Sequence, residues 1–463
     1  MFKPIKKSLV SIISLFGIFM FLFFIQIAEA ENETPENIIY MIGDGMGSSH
    51  LTLSRVLIGP MNMNRFSNGG MVMTYSANEL ITDSAAGGTA LATGYKTNNG
   101  VISLAADGKE LKTALEVAKE RGKATGLVTT TRITHATPAS FYAHVKDRNK
   151  EDAIAEQLIY AGIDIFFGGG MSYLLPSSAE GSKRKDNLDL INELKNMGYE
   201  IVKDRSGLLN VNVNNALVAG IFSLSHMSYE LDRKENEPSI SEMTKKAIEV
   251  LSNSRDGFFL MVEGGRIDHA AHANDAASVF AETLAFDKAV GVVLDFAISD
   301  RNTLVVVTAD HSTGALTLGK GMQQWYNPTI LRQTNASFEE NLFPALLDGG
   351  NIVELFANDY GITNLTNKEI ENINSALQTG DLDVIKVALG EVVTARTNIY
   401  FASIEHEGSA VPLLTYGPGA FGGFLDNTQV GKRVKSLLSQ EKELLYQNYG
   451  GYLFNNITPL PTQ

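Results

Sequence analysis

The chain has 463 residues, 44% of them apolar and 19% charged, which is the composition of a globular protein and excludes disorder on a large scale. A formal net charge of −14 excludes a nucleic-acid backbone as the main partner, because that partner needs a basic face. There is no cysteine, so disulfides contribute nothing, a cysteine nucleophile is excluded, and any metal must be held by histidines and carboxylates.

The chain starts with Lys3, Lys6 and Lys7, followed by an apolar and small-residue run over 9–27 and the small-x-small triplet Ala28-Glu29-Ala30. This pattern predicts a signal peptide over 1–30, so that the body at 31–463 works outside the cytoplasm, in a periplasm, a cell envelope or the medium. The alternative is an uncleaved membrane anchor, for which the apolar run is long enough. Loss of 1–30 removes three lysines and one glutamate and leaves the remainder more acidic.

Beyond the leader, short runs rich in Ile, Val, Phe and Leu at 37–42, 126–130, 163–167, 258–262 and 303–308 end abruptly in Gly, Asp, Thr or His. Strands buried on both faces read this way. Stretches with helical spacing lie between them at 111–121, 151–161, 239–252 and 276–298. Alternation of this kind predicts an α/β fold, a three-layer sandwich with a central, largely parallel sheet flanked by helices. From about 319 to 397 the text changes to polar loops, Asn-rich turns and two or three short helical stretches, one at 367–378. This reads as an inserted cap-like region over one end of the sheet.

Open sheets bind ligands beyond the carboxyl ends of their strands. The residues found there are Gly43-Asp44-Gly45-Met46-Gly47, Thr129 to Thr137, Glu263 to His272, and Thr308-Ala309-Asp310-His311. The glycine loop is no dinucleotide fingerprint: Ser48 stands where the third glycine belongs, and Asp44 would face a pyrophosphate with its own charge. A carboxylate there suits a cation. Asp268 and His272, four apart, share a face if the segment is helical, a spacing that suits zinc; a loop of solvated charges is the other reading. Asp310-His311 after an apolar strand is a weaker signal of the same kind. In Asp83-Ser84-Ala85-Ala86-Gly87-Gly88-Thr89, Ser84 falls at the start of a predicted helix, where free N–H groups favour an anion; an N-cap serine without chemistry is its alternative role.

The segment from Asp83 to Thr89 resembles the active-site signature of the alkaline phosphatase family. Asp44, Thr137, Arg148, Glu263-Gly264-Gly265-Arg266-Ile267-Asp268-His269, Asp310-His311 and Glu405-His406 follow in that family's order, so the resemblance spans roughly 36–425. It implies hydrolysis of phosphate monoesters through a phosphoserine at Ser84, with two Zn2+ and one Mg2+ per chain and a homodimeric assembly. The residues implied for one zinc are Asp268, His272 and His406, for the other Asp44, Asp310 and His311, and for magnesium Asp44, Thr137 and Glu263. Arg148 is implied to grip the phosphoryl group, a task suited to a planar guanidinium, with Asp83 positioning it. Family members carry either Asp and Lys or two histidines beside the magnesium; His135 and His269 put this chain with the second kind, and imidazoles there favour zinc enough to leave the third metal's identity open. His50, His144 and His226 read as structural.

Two departures from the family pattern stand out. The gap from His311 to His406 is longer than in its compact members, and the cysteines that some relatives use for disulfides are missing. Both bear on substrate range and stability. A phosphodiesterase or sulfatase of the same metal-hydrolase superfamily is the rival enzyme, disfavoured because the nucleophile segment lacks the Pro and Arg of sulfatases and Arg148 is present. A catalytically silent phosphate- or metal-binding protein is the rival outside enzymes, and no substitution at Ser84 or Arg148 supports it.

Overall fold

The computed structural model describes residues 34–322 and 324–439. The predicted leader at 1–30 lies outside them. Asn37–Gly43 (β1) has no polar face, and all seven of its residues are buried, as are those of Phe258–Gly264 (β7) and Thr303–Thr308 (β8) on either side of it. Burial of each Ile, Val or Phe side chain in these strands contributes roughly 1.5–3 kcal/mol.

The other strands of the same sheet are Asn68–Met73 (β2), Ala124–Arg132 (β3), Ile165–Gly169 (β4), Glu200–Val202 (β5), Val218–Ile221 (β6), Val411–Tyr416 (β9) and Gly423–Asp426 (β10). The ten strands run in the order β10-β2-β9-β8-β1-β7-β3-β4-β6-β5. Only β9 pairs antiparallel with its neighbours, β8 and β2. The fold is therefore the expected α/β sandwich with a largely parallel sheet.

Helices fall where the spacing predicts them, at Glu151–Ala161, Ile240–Leu251 and Ala276–Asp300. The predicted helix at 111–121 starts later, at Ala114, because Thr113 caps it reciprocally with Glu116. β5, at one edge, and the pair β2 and β10, at the other, carry no alternating or continuous apolar run, β6 is short, and Pro412 interrupts the reading of β9.

The region at 319–397 carries helices at Phe343–Leu347, Ile352–Tyr360, Asn367–Thr379 and Leu382–Thr397, more helix than its polar text suggests. Phe338, Leu342, Phe356, Tyr360, Ile373 and Leu389 build an apolar cluster there, which joins the main body at Leu53, Tyr229, Ala270 and Ala276. Asp275, the N-cap of Ala276–Asp300, fastens the junction: its carboxylate accepts from Ala277 N, Ser278 N and Phe338 N. Among the described residues no helix is long and apolar enough to cross a membrane.

Candidate metal centre and nucleophile

The carboxyl ends of β1, β3, β7 and β8 bring the four chemistry-bearing loops together. After β1, Gly45 takes φ 70°, and a Cβ there would lie 2.8 Å from Thr313 Oγ1 and 2.9 Å from the Asp268 Cα, so only glycine lets this loop pass so close to its neighbours. Its amide donates to Asp310 Oδ1 at 3.2 Å, which ties the β1 loop to the β8 loop.

Ser84 opens the helix Ser84–Thr93 (α1), ten buried residues long. The cap is Asp83, which accepts from Ala86 N at 2.9 Å, so Ser84 itself is spared that task. Its Oγ lies 3.2 Å from His311 Nε2. Gly87 and Gly88 let α1 sit against the metal loops: a Cβ would come within 2.9 Å of Asp310 O at the first and of Ser140 Oγ at the second. Asp83 Oδ2 also accepts from Gly100 N and from Arg148 Nη1 at 2.9 Å, while Arg148 Nη2 lies 3.2 Å from His135 Nε2.

Three groups of side chains place one ligand atom each within 4.8 Å of the others: Asp268, His311 and His406; Asp44, Asp310 and His311; and Asp44, His135 and Glu263. His272 stands beside the first, its Nε2 3.3 Å from Asp268 Oδ1 and its Nδ1 held by Ile404 O. The rings of His311 and His406 stack with centroids 3.7 Å apart, and Thr82 O fixes His406 Nδ1 at 3.0 Å. Thr137 Oγ1 donates to Asp44 Oδ2 at 3.3 Å, close to the third group. The sequence reading kept His135 behind the third site; in the fold its imidazole reaches the same point as Asp44 and Glu263.

Several contributors went unread in the sequence. Thr313 donates to Asp268 Oδ1 at 2.5 Å, and Thr129 and Thr131 donate to Glu263 Oε2. His226, read as structural, is held by Arg132 at both ring nitrogens, and its ring centroid lies 4.4 Å from that of His269 and 5.5 Å from that of His135. His50 and His144 do structural work: His50 Nδ1 accepts from Gly47 N, and His144 bridges Ser103 O and Glu116.

Burial drives the electrostatics. It pushes Asp310 up to about 8, with Asp268 adding repulsion, and Glu263 up to about 7; Asp44 is raised too, by burial and by Asp310. Burial also works against ionised Asp268, but His272, His406 and His311 together hold it well below the carboxylate range, and Asp268 in turn lifts His272 to about 9 against the effect of its own burial. Burial keeps His135, His269 and His311 neutral, helped by Arg148, His226 and His406 respectively.

Buried Asp44 Oδ1, Asp310 Oδ2 and Glu263 Oε1 accept no hydrogen bond. Acceptors left bare in a dry cavity cost stability unless cations meet them. Oxygen and imidazole donors in this arrangement fit divalent metal ions.

Fold and site together define a metal-dependent hydrolase with a serine at a helix N-terminus. The sequence model of the alkaline phosphatase family matches residues 35–440. Alkaline phosphatase 4 of Bacillus subtilis (strain 168) is 36% identical over 88% of this chain and 89% of its own length, and the alkaline phosphatase of Schizosaccharomyces pombe is 32% identical over 89% and 83%. Among solved structures, the alkaline phosphatase of Thermus thermophilus superposes with a TM-score of 0.79 at 32% identity, covering 90% of this chain and 93% of the other. The cold-active alkaline phosphatase of Shewanella sp. gives 0.78 at 30% identity, covering 87% and 99%. The chain belongs to the alkaline phosphatase family: it is a metal-dependent enzyme that hydrolyses phosphate monoesters.

Proposed function

We propose that the hydrolysis runs through a phosphoserine at Ser84, with Asp268, His272 and His406 holding one Zn2+, Asp44, Asp310 and His311 a second, and Asp44, Thr137 and Glu263 one Mg2+. The observation that carries this reading is the 3.2 Å approach of the uncapped Ser84 Oγ to His311 Nε2 at the start of a buried helix. When bound, the cations lower the pKa of the serine hydroxyl and neutralise charge on the phosphoryl and leaving oxygens. The N–H groups at the start of α1 that lack an intrahelical partner favour an anion beside Ser84. Arg148 spends one N–H on Asp83 and one on His135, which leaves three of its five to brace equatorial phosphate oxygens. Metal analysis of the purified protein, with hydrolysis of p-nitrophenyl phosphate before and after chelation, tests the assignment. Two zinc and one magnesium per chain, with activity returning only when both are restored, is the expected result; full activity in chelator overturns it.

Arg148→Ala removes the phosphoryl brace and also frees Asp83 and His135. Its expected effect is a loss of about 10²–10³ in kcat/KM, with zinc content unchanged. Because Arg148 and the metals recognise the phosphoryl group and not the alcohol, aryl and alkyl monoesters turn over at comparable kcat/KM; selectivity beyond about a hundredfold would contradict that.

The leader-like segment supports export, and N-terminal sequencing of the secreted protein tests cleavage after residue 30. An anchored chain would keep the segment and partition with membranes. The helical region at 319–397, packed on the main body through Asp275 and the Tyr229 cluster, serves as cover over one end of the sheet. The family resemblance supports a homodimer, which light scattering of the mature chain decides.

A further inference from the structure

Arg266 is the first residue of the helix Arg266–His272 (α2) and is buried. Three contacts hold its guanidinium. Nη2 donates to Glu340 Oε1 at 2.5 Å, Nη1 lies 2.8 Å from His269 Nδ1, and the plane sits over the Tyr229 ring at 3.7 Å. His269 lies three residues on, on the same face of the helix. Glu340 belongs to the helical region at 319–397, in Phe338–Leu342; its second oxygen accepts from Tyr229 N at 3.3 Å, and its own amide donates to the Ser337 cap.

A guanidinium can only donate, so His269 Nδ1 is an acceptor and the neutral ring carries its proton on Nε2. Arg148 treats His135 in the same way, at Nε2. The two imidazoles stand 5.6 Å apart with His226 against both. Each therefore has its tautomer set by an arginine, and each arginine is set by a carboxylate: Asp83 for Arg148, Glu340 for Arg266. For His135, which groups with Asp44 and Glu263, that N–H is on Nδ1, a donor toward the water shell a magnesium ion would keep and not a ligand that displaces it; His269 reaches the site by packing edge-on against the His135 ring.

We propose that Glu340 is a positioning residue for the third cation site: by locking Arg266 it fixes the ring and tautomer of His269, so that the inserted helical region sets the affinity of that site for Mg2+. This rests on the assignment of the third site to magnesium made above. Nothing in the lineage of contacts requires Glu340 to touch substrate or metal. It acts through Arg266.

The test is titration of the zinc-loaded wild type and variants with Mg2+ alone by calorimetry, with zinc content measured in parallel. Partners behind metal sites typically govern affinity by about 10–100-fold, so Glu340→Ala weakens Mg2+ binding by about tenfold or more. Glu340→Gln keeps an oxygen for Arg266 and retains most of the affinity. Glu369→Ala is the control, because Glu369 pairs with Arg396 inside the same helical region, away from Arg266 and Tyr229, and it leaves Mg2+ binding unchanged. Wild-type affinity in Glu340→Ala, an equal loss in Glu369→Ala, or zinc lost in proportion would each overturn the proposal. A zinc-loaded wild type that takes up no Mg2+ overturns the third-site assignment itself, and is seen before any variant is made.

Discussion

Ser84→Ala lowers kcat for p-nitrophenyl phosphate by at least about 10³-fold while the metal content and melting temperature stay at wild-type values. The separation of the two effects comes from the local structure. The α1 cap is supplied by Asp83 through Ala86 N, and Ser84 Oγ makes its contact with His311 Nε2 and with no backbone group of the helix. Losing a single hydroxyl contact costs on the order of 1 kcal/mol of stability. On the proposed phosphoserine route, what disappears is the nucleophile, and with it the covalent step that divides the displacement in two. The metals and Arg148 assigned to that route would still bind and polarise the ester, which leaves a residual rate above that in water. Kinetics within about tenfold of wild type would mean that water attacks phosphorus directly, and the phosphoserine route would fall.

How much of this was written in the sequence depends on the range of the forces involved. β1, β7 and β8 were legible because strands buried on both faces leave no polar residue to blur the run. β2, with Gly69 and Gly70, was not: the close approach of Gly423 O, 1.9 Å from where a Cβ at Gly70 would lie, forces glycine there and erases the apolar signal. At the site, Asp44, Ser84, Asp268, Asp310 and His311 could be singled out because each follows an apolar run or opens a helix. Thr313 and His226 could not, since their partners Asp268 and His269 are brought to them from elsewhere in the chain. Glu340 is the extreme case. Its carboxylate sits in a polar stretch that reads as cover, 74 residues from the arginine it holds.

Chelation of all cations lowers the melting temperature by an amount that grows with pH, from a few degrees near pH 5.5 to about 10 °C or more near pH 8.5. In the metal-free fold Asp310 titrates at about 8 and Glu263 at about 7, whereas unfolded carboxyls titrate near about 4. A carboxyl raised on folding binds more protons in the native state than in the unfolded one. Its contribution is therefore complete at low pH and is lost as pH rises toward the folded value. His272, raised to about 9 by Asp268 despite its burial, loses its contribution between about 6.5 and 9, in the same direction. Asp268 has the opposite sign, but its carboxyl is held so low that its contribution changes only in acid. Cations reverse the dependence, because they bind the deprotonated ligands and no longer compete with protons as pH rises. The metal-free protein thus weakens over the same interval in which the loaded protein gains, and paired thermal scans with and without chelator across that interval measure the difference. A gap that stays constant or narrows with pH would show that the carboxylates around Asp310 are not what the cations neutralise, and would move the metals away from the cluster of Asp44, Asp310 and Glu263.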